Sequence, residues 1–213
     1  MAISIGASVP RRGNAFSRWL GRLVLRMLGW RIEGSMPDAP KRVMIGMPHT
    51  SNMDGVIAIA TLSAVGLRAS TMIKDTAFKG LMGVMLRWFG AIPINRRSPK
   101  GVVEQSVDAF NRNERMILLI AAEGTRSAAK EFKRGFHHIA RGAGVPIQIA
   151  SVHYGKRIVT FGPLIAAHGS YEDDFRQMMK FYAETASPRH PERMSKPMCE
   201  ALGVAWTPQE EKK

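Results

Sequence analysis

Two hydrophobic periods alternate along this chain. In some stretches apolar residues recur every three to four positions, the spacing of an amphipathic helix, and in others they form short continuous runs, which are typical of buried strands. The helical patterns cover residues 14–30, 52–65, 78–89, 102–111, 132–142 and 171–184. The strand-like runs cover residues 42–47, 70–73, 92–95, 116–121, 146–152 and 157–161. This alternation predicts an α/β fold, a single domain with a central, mostly parallel or mixed sheet flanked by helices.

The first 30 residues combine a basic leader, residues 1–13, with a basic amphipathic helix. Arg18, Arg22 and Arg26 follow one another at four-residue steps between the apolar positions of this helix. Such a helix suits a membrane interface, with its apolar face in the lipid and its arginines at the headgroups. The apolar stripe of residues 78–89 is a second candidate for this contact. In the alternative interpretation either stripe packs on the core, and for residues 78–89 this alternative is favoured.

The end of the chain carries a different signal. From residue 187 onward prolines recur among charged residues, so an irregular tail is expected. The main domain is therefore placed at residues 31–186, between the N-terminal segment 1–30 and the tail 187–213.

The charge balance suggests the kind of partner. Lysine and arginine number 31 and acidic residues 17, which gives a formal net charge of +14. This excess predicts attraction to a polyanion, whether nucleic acid, an anionic membrane surface or an acidic small substrate. No recognised nucleic-acid motif is present, so nucleic acid is not the expected partner. A non-enzymatic basic protein that binds membranes or nucleic acid stays an alternative.

Cysteine content and hydropathy suggest the location. Cys199 is the single cysteine, which excludes an internal disulfide and a multi-cysteine zinc site and favours a reducing compartment. No segment reaches the roughly 18 to 20 apolar residues that span a bilayer. At the N-terminus the charges follow the apolar residues, unlike those of a secretory signal. We therefore expect a peripheral or monotopic protein on the cytoplasmic face of the cell membrane.

The first motif that could carry out chemistry is His49-x-x-x-x-Asp54, directly after a predicted strand. A histidine oriented by a carboxylate is what removing a proton from a hydroxyl requires. The two side chains meet if His49 lies in the loop and Asp54 in the first helical turn, with Ser51 or Asn52 as the cap. The alternative is an ordinary capping box beside a loop histidine.

The second motif is Glu123-Gly124-Thr125-Arg126, which follows the most apolar predicted strand. Gly124 permits a tight turn, and the guanidinium of Arg126 suits two phosphate oxygens. A solvated surface turn is the alternative. Basic residues follow two further predicted strands in the same way, and they would add anionic contacts at the same edge of the sheet. They are Lys74, Arg96 and Arg97.

Taken in order, these segments resemble the glycerolipid acyltransferases, which include bacterial 1-acyl-glycerol-3-phosphate acyltransferases. The resemblance runs from about Trp30 to Gly162, and details such as Lys74-Asp75 are similar to a small bacterial branch of the family. Four ordered segments carry it, namely residues 49–54, 90–96 (Gly-Ala-Ile-Pro-Ile-Asn-Arg), 123–126 and 145–147 (Val-Pro-Ile).

The resemblance implies an O-acyltransferase with His49 as general base and Asp54 as its partner. It implies that Arg96, Gly124, Thr125 and Arg126 bind the phosphate of the acceptor, with Glu123 ordering that loop. The donor would be a thioester of coenzyme A or acyl carrier protein, and the acceptor a lysophospholipid. Neither a cofactor, a metal nor a covalent acyl-enzyme is expected.

Three positions depart from the family pattern, and all touch the implied acceptor pocket. The family often has proline where this chain has Ala122, aspartate where it has Asn95, and proline near Ala150. The acceptor therefore stays open between 1-acyl-glycerol-3-phosphate, glycerol 3-phosphate and a lyso-aminolipid.

Overall fold

A mostly parallel sheet organises the chain. The structure is a computed structural model, and it describes residues 3–88, 90–95, 97–98 and 100–208. Its strands are β1 (Ser4–Ile5), β2 (Arg31–Met36), β3 (Lys41–Met47), β4 (Ala69–Ser70), β5 (Met72–Lys74), β6 (Ile92–Ile94), β7 (Met116–Ile120), β8 (Ile147–His153) and β9 (Ile158–Ile165). Within these residues seven strands form one sheet in the order β1-β2-β9-β8-β3-β7-β4, while β5 and β6 pair separately. Only the β8–β9 pair is antiparallel among the pairs described.

Helices cover both faces of this sheet. They are α1 (Ala15–Met27), α2 (Asn52–Val65), α3 (Gly80–Trp88), α4 (Val102–Arg112), α5 (Gly135–Ala143), α6 (Tyr171–Thr185) and α7 (Lys196–Leu202). Helices α1 and α2 share a buried cluster with one face, and α4 to α7 share a second cluster with the other. The central strands are apolar throughout because both of their faces are buried. The predicted α/β fold with a mostly parallel sheet is confirmed.

Helix α1 is present as the sequence predicts, and it lies directly on α2. A β-carbon added at Gly21 would be 2.5 Å from the amide nitrogen of Ala64 and 2.7 Å from the carbonyl oxygen of Ala60. The absence of a side chain at Gly21 therefore allows the two helices to approach closely. Leu25 is the large side chain that α1 buries. Phe16, Trp19, Leu20 and Met27 stay exposed on the same helix.

Helix α3 differs from the favoured prediction that its apolar stripe packs on the core. Four of its apolar side chains are exposed, and Phe89, at the end of the predicted stripe, lies outside the described residues. The prediction is wrong for these four because the helix lies outside both buried clusters and carries more apolar positions than its contacts cover. They are Leu81, Met82, Val84 and Met85.

The prediction of an irregular tail from residue 187 is wrong for Lys196–Leu202, which form α7. Met198 and Cys199 are buried in the core by this helix. Pro191 and Pro197 each stand in the first turn of a helical segment, where proline is tolerated because its missing N–H would have no partner there. Two of the prolines that suggested irregular structure therefore mark helix starts.

Candidate active site

Both motifs lie at one edge of the sheet. β3 ends at Met47, just before His49, and β7 ends at Ile120, just before the loop of residues 121–126. These strands are parallel neighbours, with Ile45 opposite Ile120. Since the carboxyl ends of parallel strands meet at the same edge, the two loops lie side by side.

A capping box and a histidine–carboxylate pair occupy the same few residues. Ser51 caps α2, and its backbone N–H donates to Asp54 Oδ2 at 2.8 Å. The N–H of Thr50 donates to the same oxygen at 2.7 Å. His49 Nδ1 lies 3.5 Å from Asp54 Oδ2, with the His49 side chain 24% exposed and that of Asp54 5% exposed. The two interpretations of the sequence thus describe one arrangement, in which the cap fixes the carboxylate that faces the imidazole.

The other oxygen of Asp54 is held by a residue that the sequence did not indicate. The hydroxyl of Tyr154 donates a hydrogen bond to Asp54 Oδ1. Burial raises the pKa of the Tyr154 hydroxyl, and the Asp54 carboxylate raises it further, so this group stays a donor. Burial acts to raise the pKa of Asp54, but hydrogen bonds from His49, Tyr154 and the Ser51 and Thr50 amides outweigh it and lower that pKa. Asp54 is therefore held as a carboxylate.

Glu123 connects the two motif loops by a hydrogen bond. Its Oε2 accepts a hydrogen bond from the backbone N–H of His49 at 2.7 Å, and its Oε1 accepts one from the hydroxyl of Ser195 at 2.8 Å. The residue is only 2% exposed, and burial raises its pKa against the lowering effect of these bonds. It thus connects the His49 loop to Ser195, just before α7, a contact that the sequence did not indicate.

Gly124 and Arg126 shape the front of the site. Gly124 has a φ of +67°, in the left-handed region that favours glycine. Arg126 Nε donates a hydrogen bond to His49 Nε2 at 3.1 Å. When Nε2 accepts this bond, the ring proton is on Nδ1, the nitrogen that faces Asp54. The guanidinium thus rests on the nitrogen that a base would use.

A cavity of about 430 Å³ opens in front of these groups. His49, Gly124, Thr125 and Arg126 line one side of it. The other lining residues are mostly apolar, namely Thr71, Met72 and Leu119 to Ala121. A basic nitrogen, a guanidinium and an apolar wall therefore face one space.

Of the other predicted contacts, those that the structure describes do not line this cavity. Lys74 ends β5 and is exposed, and the backbone N–H of Arg97 donates to the Asn95 side chain at 2.9 Å. Neither is among the described residues that line the cavity. Arg96 lies outside the described residues. Their role in substrate binding stays a prediction.

The described residues contain neither a metal-binding cluster nor a membrane-spanning helix. Within residues 3–88, 90–95, 97–98 and 100–208, no group of three or more His, Cys, Asp or Glu side chains is arranged to hold a metal ion. Over the same ranges, none of the helices combines the length and the apolar character needed to cross a membrane.

The chain belongs to the acyltransferase family, whose sequence profile matches residues 32–152, more than half of the chain. Both motifs lie inside this match. The fold is similar to the crystal structure of the 1-acyl-sn-glycerophosphate (LPA) acyltransferase PlsC from Thermotoga maritima, with a TM-score of 0.51 at 15% sequence identity. That similarity covers 76% of this chain and 73% of the other. No curated protein sequence matches this chain.

Proposed function

We propose that this protein transfers a fatty acyl group from a thioester, of coenzyme A or acyl carrier protein, to the hydroxyl of a lysophospholipid such as 1-acyl-glycerol-3-phosphate. The observation that carries the proposal is the placement of His49 between Asp54 and Arg126 at the edge of the cavity. One neighbour orients a base, and the other is a ligand for phosphate.

The acceptor prepares the base as it binds. Its phosphate is a stronger partner for the Arg126 guanidinium than a neutral imidazole is, because the phosphate and the guanidinium carry opposite charges. When Arg126 turns to the phosphate, the lone pair of His49 Nε2 becomes available to the acceptor hydroxyl. Asp54 keeps the imidazole in the tautomer with its proton on Nδ1.

The transfer itself is one exchange of bonds. His49 Nε2 takes the hydroxyl proton as the oxygen attacks the thioester carbonyl, and the new C–O bond forms as the C–S bond breaks. The proton then passes from His49 to the departing sulfur, which leaves as a free thiol. General-base assistance of this kind contributes about 10²–10⁴-fold.

The acyl chains require access to a membrane. Phe16 and Trp19 on α1 are exposed and stack with ring centroids 5.8 Å apart, and Arg18 and Arg22 lie on the same helix. This combination supports peripheral binding to an anionic surface, and we place the protein on the cytoplasmic face of the cell membrane.

The experiment that tests the proposal measures thiol release from a long-chain acyl-coenzyme A, with and without lysophosphatidic acid. We expect wild-type release to depend on the acceptor, and the His49→Ala variant to lose about 10²–10⁴-fold of it. His168→Ala, at an exposed histidine away from the site, is the matched control and should keep full activity.

Either of two results would count against this mechanism. Near-normal turnover by the His49→Ala variant would remove the general base. Absence of thiol release with coenzyme A and carrier-protein donors, across lysophosphatidic acid, glycerol 3-phosphate and lyso-aminolipids, would favour the non-enzymatic alternative.

A further inference from the structure

A second cavity lies beside the candidate active site, and arginines dominate it. It has a volume of about 260 Å³ and is lined by Arg68, Arg87 and Arg115. The side chains of Ser70 and Asn113 add polar groups, and no acidic residue lines it among those described. The three arginines come from separate segments, the residue before β4, the end of α3 and the residue before β7.

The positive charge of this cavity has little compensation. None of the three arginines forms an ion pair with a carboxylate in the part of the chain that the structure describes. The Arg87 guanidinium lies over the Phe78 ring, 5.6 Å from its centroid. Arg115 interacts electrostatically with Asp38, but that carboxylate already accepts hydrogen bonds from the hydroxyl and the N–H of Ser8. Three guanidinium groups around one concavity favour a phosphorylated ligand.

The arginine-lined cavity and the cavity at His49 both lie along the β4–β7 pair, the first at the start of β7 and the second at its end. The first is lined by Ser70 and Ile117, and the second by Thr71 and Leu119. β4 and β7 are paired there, with Ser70 opposite Leu118. At about 3.3 Å per residue, the distance from Ile117 to Ala121, where the loop of residues 121–126 begins, is roughly 13 Å.

This distance is close to the length of the pantetheine arm of a thioester donor. From sulfur to the first phosphorus, a pantetheine arm has about as many bonds as four to five residues of backbone, and it extends to roughly 15 Å. A thioester carbonyl beside His49 therefore leaves the phosphates of the same donor within reach of the arginines.

We propose that the arginine-lined cavity binds the phosphate groups of coenzyme A while the thioester lies at His49. The inference rests on the proposed function, since it identifies the donor for the same reaction. Carrier protein presents a single phosphodiester on its pantetheine arm, whereas coenzyme A presents a diphosphate and a separate phosphate. Three arginines match the larger anionic group.

The test compares two donors in a double variant. Arg68→Gln with Arg115→Gln removes two charges but leaves Arg87 stacked on Phe78. We expect the KM for acyl-coenzyme A to rise about tenfold or more with kcat unchanged. With acyl-N-acetylcysteamine, a thioester that has no phosphate, the KM should not change. Equal effects on both donors, or none on either, would overturn the proposal.

The control removes the same amount of charge elsewhere. Arg31→Gln with Arg141→Gln alters two exposed arginines, one on β2 and one on α5, that line neither cavity. It should leave the KM for both donors unchanged. A rise in the KM for acyl-coenzyme A equal to that of the Arg68 and Arg115 variant would show that net charge, and not this cavity, attracts the donor.

Binding without turnover separates this inference from the proposed reaction. Calorimetric titration with adenosine 3′,5′-bisphosphate should detect binding to the wild type and to the control, and loss of it in the Arg68 and Arg115 variant. That result supports the cavity even where no acceptor is acylated. Two results would overturn coenzyme A as its ligand: a defect confined to acyl carrier protein donors, and a defect confined to binding of phosphatidylglycerol vesicles.

Discussion

At the scale of single residues, the main feature of the site is that both carboxylate oxygens of Asp54 accept hydrogen bonds. Asp54 Oδ2 accepts two backbone N–H groups and faces the imidazole, while Oδ1 accepts the Tyr154 hydroxyl. The Tyr154 ring is itself held edge-on against Trp30, with centroids 5.1 Å apart. In the proposed reaction Tyr154 would therefore act through Asp54, as a positioning residue.

The Tyr154→Phe variant tests this role. Loss of the hydroxyl removes a donor from Asp54 and leaves more negative charge facing His49. We expect kcat to fall by about tenfold, which matches the loss of one hydrogen bond to a charged group. The acid limb of the kcat/KM profile should also move to higher pH, because the protonated imidazole is then better stabilised. The pH profile of the variant is the decisive measurement.

Tyr182→Phe provides the control for that experiment. The Tyr182 hydroxyl donates to the backbone carbonyl of Ile45 at 3.0 Å and lies in the core. Its removal should lower the free energy of unfolding by about 1 kcal/mol and leave the pH profile in place. A Tyr154→Phe profile equal to that of the wild type would reduce Tyr154 to a packing residue.

Acid should weaken the fold through Asp54. The pKa of this carboxyl is lower in the folded chain than in the unfolded one, so its contribution to stability is full above the unfolded value of roughly 4 and declines as the pH falls through the folded value. At pH 7 we expect Asp54→Asn to lower the free energy of unfolding by about 1–3 kcal/mol. The difference between the two proteins should shrink below about pH 4.

Urea unfolding of wild type and variant between pH 3 and pH 7 measures this difference directly. The comparison is needed because Glu123, whose raised pKa has the opposite sign, contributes stability that is lost as the pH rises. Glu200→Gln, at an exposed carboxylate on α7, should show a small difference that hardly varies with pH. A difference for Asp54→Asn that stays constant to pH 3 would contradict the assigned direction.

At the scale of helices and strands, the contact between α1 and α2 is the most sensitive to a small change. A β-carbon at Gly21 would meet backbone atoms of Ala60 and Ala64, which cannot move independently of α2. We expect Gly21→Ala to lower the free energy of unfolding by about 1–3 kcal/mol, despite the higher helix propensity of alanine. Gly55→Ala, within α2 and with no heavy atom within 4 Å of the added carbon, should raise it by up to about 1 kcal/mol.

Urea unfolding should give changes of opposite sign in the free energy of unfolding, because of the two added carbons only the one at Gly21 meets backbone atoms. Equal stabilisation of both would mean that α1 does not lie against α2 in solution. The circular dichroism of Gly21→Ala should stay close to that of the wild type, since the substitution strains a contact between helices and not a helix itself.

Among the strands, those buried on both sides were the easiest to predict from the sequence. β3 and β7 are continuous apolar runs, and they appear within one residue of the expected ends. β2 was missed because only Ile32 and Met36 of its six residues are buried, so its pattern is weak. β2 gains its place by pairing with β9, which no local signal in residues 31–36 reports.

The same distinction applies to the site. His49, Asp54 and Arg126 were predictable because each lies in a motif next to a buried strand, and the strand order brings them together. Tyr154 and Ser195 were not, since they reach Asp54 and Glu123 from 100 and 72 residues away and belong to no motif. Single hydrogen bonds between distant segments leave no periodic trace in a sequence.

At the scale of the whole molecule, the net charge of +14 and the exposed apolar side chains are both suited to an anionic lipid surface. Phe16, Trp19 and Met27 on α1 are 65%, 55% and 77% exposed, and arginines accompany them on the same helix. Exposed aromatic groups with interleaved arginines are costly in water and favourable at a lipid interface. The two kinds of side chain should respond differently to salt, which allows them to be separated.

Salt should separate the apolar contribution to membrane binding from the charged one. Phe16→Ser with Trp19→Ser should reduce binding to phosphatidylglycerol vesicles at every salt concentration, because apolar burial is not screened. Arg18→Gln with Arg22→Gln should reduce it at low salt by about fivefold for each arginine, and much less at 1 M salt, where the Debye length is about 3 Å. Val204→Ser, at an exposed apolar residue near the C-terminus, is the control and should bind as the wild type does. Sedimentation with vesicles measures all three, and binding that survives the loss of Phe16 and Trp19 would place the membrane contact on another surface, for which the exposed face of α3 is the next candidate.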